Sequence, residues 1–80
     1  MILDIGVYRE SQKPGIKLFL DRRGLAELSR SISEMASAYH CPVIAVCHFV
    51  GELYGFTPEL DELIAKLCAF YKVTEIKGRL

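Results

Sequence analysis

The chain opens with a period of two. In MILDIGVY, Leu3, Ile5 and Val7 fall on one side and Ile2, Asp4, Gly6 and Tyr8 on the other, the alternation of a half-buried strand. The polar stretch RESQKPG, with Pro14-Gly15, reads as a turn, and IKLFL beyond it alternates again, Ile16, Leu18 and Leu20 against Lys17 and Phe19. These two segments are expected to pair as a hairpin whose loop is too long for turn chemistry to set its register.

The period then lengthens. Through RRGLAELSRSISEMASAY, Leu25, Leu28, Ile32, Met35 and Tyr39 recur at spacings of three and four, with Glu27, Arg30 and Glu34 off the stripe and Asp21 placed to cap the helix. Ser29, Ser31, Ser33 and Ser37 have no neighbouring base in sequence and read as solvent-facing or packing residues. Pro42 closes this helix. From Val43 to Val50 the chain is almost continuously apolar and rich in β-branched residues, which reads as an interior strand. TPEL then starts a helix, with Thr57 as cap, Pro58 in the first position, and Glu59, Asp61 and Glu62 near the positive end of the helix dipole. Leu60, Leu63, Ile64, Leu67 and Tyr71 form its stripe, and Glu62 and Lys66 have the spacing of a surface pair. VTEIK reads as a short edge strand before Gly78.

The expected order is β-β-α-β-α-β in a single domain, residues 1–80. Right-handed crossovers make this an α+β two-layer sandwich, a mixed four-stranded sheet with both helices on one face; one helix on each face is the alternative. On the central strand, one parity is Ile44, Val46, His48 and Val50 and the other is Val43, Ala45, Cys47 and Phe49. Both sets are largely apolar, so an uncovered sheet face would be apolar whichever way the strand turns.

Composition sharpens that expectation. At 51% hydrophobic residues, so small a domain has more apolar side chain than interior to hold it, which points to a surface that another chain covers. The leading expectation is therefore a non-enzymatic binding or accessory module that self-associates or covers a protein partner. Its contacts would be Tyr8, Phe19, His48, Tyr54 and Phe56.

Charge bears on the alternatives. Ten basic residues balance ten acidic ones, so no overall field draws nucleic acid or an anionic membrane. Locally, residues 9–23 carry five cations against two acids and residues 24–71 carry two against six. A nucleic-acid-binding module is the second hypothesis, with Lys13, Lys17, Arg22 and Arg23 on phosphates and Tyr8 and Phe19 stacked on bases. The third is a small-ligand enzyme with a pocket near His48 and the Tyr54 loop.

Catalytic and metal chemistry find little to use. His40, Cys41, Cys47 and His48 are residue types that bind zinc, but neighbours on a strand point to opposite faces. Six residues at the strand rise would also hold Cys41 and Cys47 about 20 Å apart. No metal or cofactor is expected. Cysteine catalysis would need a distant pair such as Cys68 and His48, and GELYG matches no phosphate-binding glycine pattern. Three cysteines, no secretory leader pattern and no run near about 20 apolar residues suggest reduced thiols in a cytoplasmic protein.

The segment IKLFLDRRGLAELSRSISEMA resembles the opening of small bacterial toxin-immunity and related accessory proteins. The likeness covers about a quarter of the chain, implies a binding role and transfers no functional residue.

Overall fold

The computed structural model describes residues 1–79, and residues 9–11 by their backbone alone. Among the described residues there are four helices between two short strands. They are β1 (Ile2–Asp4), α1 (Gly6–Arg23), α2 (Leu28–Ala38), α3 (Val43–Tyr54), α4 (Pro58–Tyr71) and β2 (Glu75–Lys77). The expected four-stranded sandwich is therefore not formed; the protein is mostly helical, with one two-stranded sheet.

The largest correction falls on the apolar run. Residues 43–50 are not a strand but most of α3, and every residue from Ile44 to Gly51 is buried. A helix that is apolar all round must be enclosed, and α1, α2 and α4 all pack against α3. Helical backbone satisfies its own N–H and C=O groups, so this segment can be sunk in a core without partner strands on either side. The several β-branched residues of α3 cost only tenths of a kcal/mol each in helix propensity, about an order of magnitude less than burying a Val or Ile side chain returns.

The expected hairpin is likewise helix. α1 absorbs the second half of MILDIGVY, the whole of RESQKPG and IKLFL, and runs through Pro14. Proline there removes one donor without ending the helix. The helical face is set by Ile16 and Leu20, both buried, with Tyr8 and Phe19 half-buried beside them, while Leu18 is 52% exposed. Gly24, at φ 77°, ends α1, and its N–H donates to the Leu20 carbonyl. Asp21 thus sits in the last turn of α1 and does not cap the next helix, which starts only at Leu28. Ile32 and Met35 are the buried part of the expected α2 stripe; Leu25 lies before the helix, 44% exposed.

α4 forms as its sequence indicates. Thr57 Oγ1 accepts from the Leu60 N–H at 3.1 Å, Pro58 opens the helix, and Glu62 and Lys66 pair at 3.1 Å. Lys72, in the left-handed region at φ 57°, closes it. The chain then turns back so that β2 pairs parallel with β1, Leu3 opposite Ile76. Thr74 N–H donates to the Met1 carbonyl at 2.8 Å and Ile5 N–H to the Lys77 carbonyl at 2.9 Å, bracketing the sheet. Two three-residue strands leave no broad sheet face to be covered. Among the described residues no helix is long and apolar enough to cross a membrane.

Candidate functional site

A cleft of about 720 Å³ lies between α3, α4 and β2. Its α3 wall is His48 and Glu52, one helical turn apart and therefore on one side of the helix. Its α4 wall is Asp61, Ile64 and Cys68, at spacings of three and four and so again one stripe. The third wall is the run Val73 to Ile76, with Arg79 beyond it.

Phe56 completes the cleft by folding back over α3. It can do so because residue 51 is glycine: a Cβ there would overlap the Phe56 ring. The ring meets the edge of His48 with centroids 5.8 Å apart and planes at 65°. His48 is only 5% exposed, whereas Phe56 is 47% exposed, so the phenyl group forms a partial cover over the histidine. Glu52 is tied to Lys13 of α1 at 3.1 Å, which fixes its carboxylate at the base of the cleft.

Of the five expected contact residues, the fold brings His48 and Phe56 together in this cleft. Tyr54 lies apart at the end of α3, where its hydroxyl donates to Asp21 Oδ1 at 2.5 Å while Lys17 Nζ donates to Oδ2 at 2.7 Å. Those two bonds, Lys17 first, hold the Asp21 carboxyl below its ordinary range, and the same carboxylate raises the Tyr54 hydroxyl and the Lys17 ammonium. Tyr8 and Phe19 pack on α1 against the core, Phe19 beneath the Arg23 guanidinium at 4.5 Å. They are not on a sheet face.

The basic residues are helical too. Lys13, Lys17 and Arg23 are engaged by Glu52, Asp21 and Glu34, the last at 2.6 Å, and Arg22 is exposed in the last turn of α1. Among the described residues no group of three or more His, Cys, Asp or Glu side chains could hold a metal ion. The strand-parity argument for the cysteines does not apply, since Cys47 and His48 are successive residues of α3. Burial pushes the Cys47 thiol up to about 12 and the Cys41 thiol up to about 11, so both are protonated near neutral pH.

A second hollow, about 310 Å³ and almost wholly apolar, lies against Met1, Leu3, Val43 and Tyr71. Phe70, 77% exposed, packs edge-on against Tyr71 of that lining. Cys68 and His48, the pair the sequence offered for cysteine catalysis, both line this cleft, whereas Glu52, Asp61, Ile64 and Arg79 were not among the expected site residues. The helical spacings 48/52 and 61/64/68 were available as signals, but their convergence depends on how α3 meets α4. No known protein family, curated protein or solved structure matches the chain. The resemblance of residues 16–36 to toxin-immunity proteins therefore carries no argument, and the site is read from its own chemistry.

Proposed function

We propose that the chain is a non-enzymatic binding module and that its site is the cleft between α3, α4 and β2. The observation that carries this is the cleft itself: about 720 Å³, with Phe56, Ile64 and Val73 as apolar walls and carboxylates opposite one guanidinium as polar anchors. That size and mixture are those of a ligand site. The binding surface moves from the expected sheet face to this cleft.

A protein partner fits better than nucleic acid, because three of the four candidate phosphate contacts are already engaged by carboxylates. Cysteine chemistry gains no support from Cys47, whose buried thiol is held protonated by desolvation; Cys68 and His48, which share the cleft, are the pair it would use. Three free thiols suit a reducing compartment, and we place the protein in the cytoplasm on that ground. Self-association is a second reading, favoured by a separate observation: Met1 and Tyr71 stand exposed at the apolar hollow, where a second copy presenting the same surface would cover both.

The test is a fragment screen on the isotopically labelled protein, with solution mass measured alongside. Fragments that shift the His48, Ile64 and Ile76 amides together support the cleft. A diverse library that shifts none of them, or only residues around Tyr71, counts against it.

A further inference from the structure

Among the described residues β2 has one strand neighbour, β1. The Lys77 carbonyl accepts from Ile5, so Glu75 and Lys77 turn their backbone groups toward β1. Successive residues alternate, and Ile76 therefore turns its N–H and C=O outward.

Glu75 and Ile76, adjacent residues of β2, both line the cleft, as do Val73 and Thr74 leading into the strand. Side chains along a strand alternate between faces, so a cavity beneath one face would touch only one of two neighbours. A cavity that touches both Glu75 and Ile76 runs along the edge. The apolar hollow supplies the contrast, since of the three β1 residues it touches Leu3 and neither Ile2 nor Asp4. It lies under a face, and the larger cleft lies beside an edge.

The wall facing that edge is the α4 stripe Asp61, Ile64, Cys68. Seven residues of helix span about 10 Å, the length of about three residues of extended chain. Among the described residues, the charges that line the cleft are Glu52, Asp61 and Glu75 against Arg79. Glu52 is engaged by Lys13, and Asp61 and Glu75 stand as two carboxylates beside that one described guanidinium.

We infer that the cleft takes an extended peptide segment of a protein partner, which adds to β2 as a third strand. The N–H and C=O of Ile76 form the docking pair, an apolar side chain of the peptide lies against Ile64 and Phe56, and a basic side chain faces Asp61 and Glu75. This rests on the cleft being the binding site and names its ligand class. A groove with an open strand edge on one side and a helix stripe on the other is the geometry of strand addition, where main-chain bonds give affinity and alternate side chains give specificity.

The experiment titrates the labelled full chain with a pool of acetylated, amidated hexapeptides alternating Lys or Arg with Val, Ile or Leu. A second pool carries N-methyl groups on every second amide, in both registers. The expected result is that the first pool shifts the Glu75, Ile76, Lys77 and His48 amides and slows hydrogen exchange at Ile76. N-methylation should weaken binding about tenfold, the scale of one lost hydrogen bond with its steric cost. Asp61→Asn, at an exposed position, should leave the fold intact and reduce the preference for basic over acidic pools severalfold.

Fragments that bind the cleft while neither peptide pool does would overturn strand addition and leave the binding reading standing. Equal affinity for the methylated pool would do the same. A dimeric mass with Ile76 already protected, before any peptide is added, would put a second copy on the edge and overturn the assignment to a separate partner.

Discussion

Replacing Gly51 with alanine should destabilise the protein even though it removes a glycine from the middle of a helix. By propensity alone the change favours the folded state by about 1 kcal/mol. Against it stands the Phe56 ring, three of whose atoms occupy the place where the new methyl group would go. The ring ends a side chain that is 47% exposed, so it has somewhere to go, and the expected response is that it swings off α3. Roughly half of a ring's ~200 Å² is then returned to water, about 2.5 kcal/mol at 25 cal/mol per Å². Losing the edge contact with His48 adds about 0.5–1.5 kcal/mol. The net is a loss of about 2–3 kcal/mol, or a fall in Tm of about 8–24 °C for a domain of this size. Thermal unfolding by circular dichroism measures it, and NOEs between the Phe56 ring and His48 report whether the ring has left. The decisive comparison is the same substitution in a Phe56→Ala background. There the obstacle is gone, so Gly51→Ala should raise stability by about 1 kcal/mol, a reversal of sign between neighbouring sites. A rise in Tm with Phe56 present would refute the reasoning.

Gly78→Ala should cost about 1–3 kcal/mol, because φ there is 79° and a Cβ would strike the Gly6 backbone; faster hydrogen exchange at Ile5 would show the β1–β2 closure loosening. Cys47 should resist thiol reagents in the native protein at pH 8 and react once unfolded. Its folded value of about 12 lies above the ordinary 9.0, so the unfolded state loses its proton first. Stability is therefore fully present below about pH 9 and falls as pH rises toward 12, which alkaline denaturant titrations of wild type and Cys47→Ala would compare. Tyr54→Phe should raise the Asp21 carboxyl toward its ordinary range, since the Tyr54 bond is one of the two that lower it, while Lys17, the larger cause, remains; carbon-detected NMR titration of Asp21 reads this directly.

The parts of the fold legible in the sequence are those decided locally. α4 announces itself through Thr57, Pro58 and the acids behind them, and each of those features works within one turn of the chain. β2 was likewise placed correctly as a short strand. α3 was misread because a continuous apolar run has no polar face from which a period can be taken. What separated the readings was length: apolar residues resume at Leu53 and Tyr54 beyond Gly51 and Glu52, and a span of twelve residues suits a buried helix better than a strand. In α1 the misreading came from Pro14-Gly15, taken as a turn, and from the alternation at Ile16, Leu18 and Leu20. Leu18, 52% exposed, breaks that alternation, and the helical pairing of Ile16 with Leu20 remains.

The site was half legible for the same reason. His48 and Phe56 were chosen as contact residues from their chemistry, and they do meet, through a loop of a few residues that Gly51 allows to fold back. The edge that completes the cleft was out of reach, because β2 is held by residues at the far end of the sequence: Met1 donates to the Lys72 carbonyl across 71 positions. No periodicity within VTEIK says that its partner is parallel and that one side is left open. The sheet face that the apolar-rich composition was expected to leave for a partner is not formed. The expected central strand spent its apolar residues inside α3, where three helices enclose them. The proposed docking surface is a short strand edge beside a helix stripe, and strand addition recognises a backbone first and side chains second. A binding partner of this protein should therefore tolerate substitution at most of its docked positions, provided one basic residue and the peptide N–H groups on the bonding side are kept.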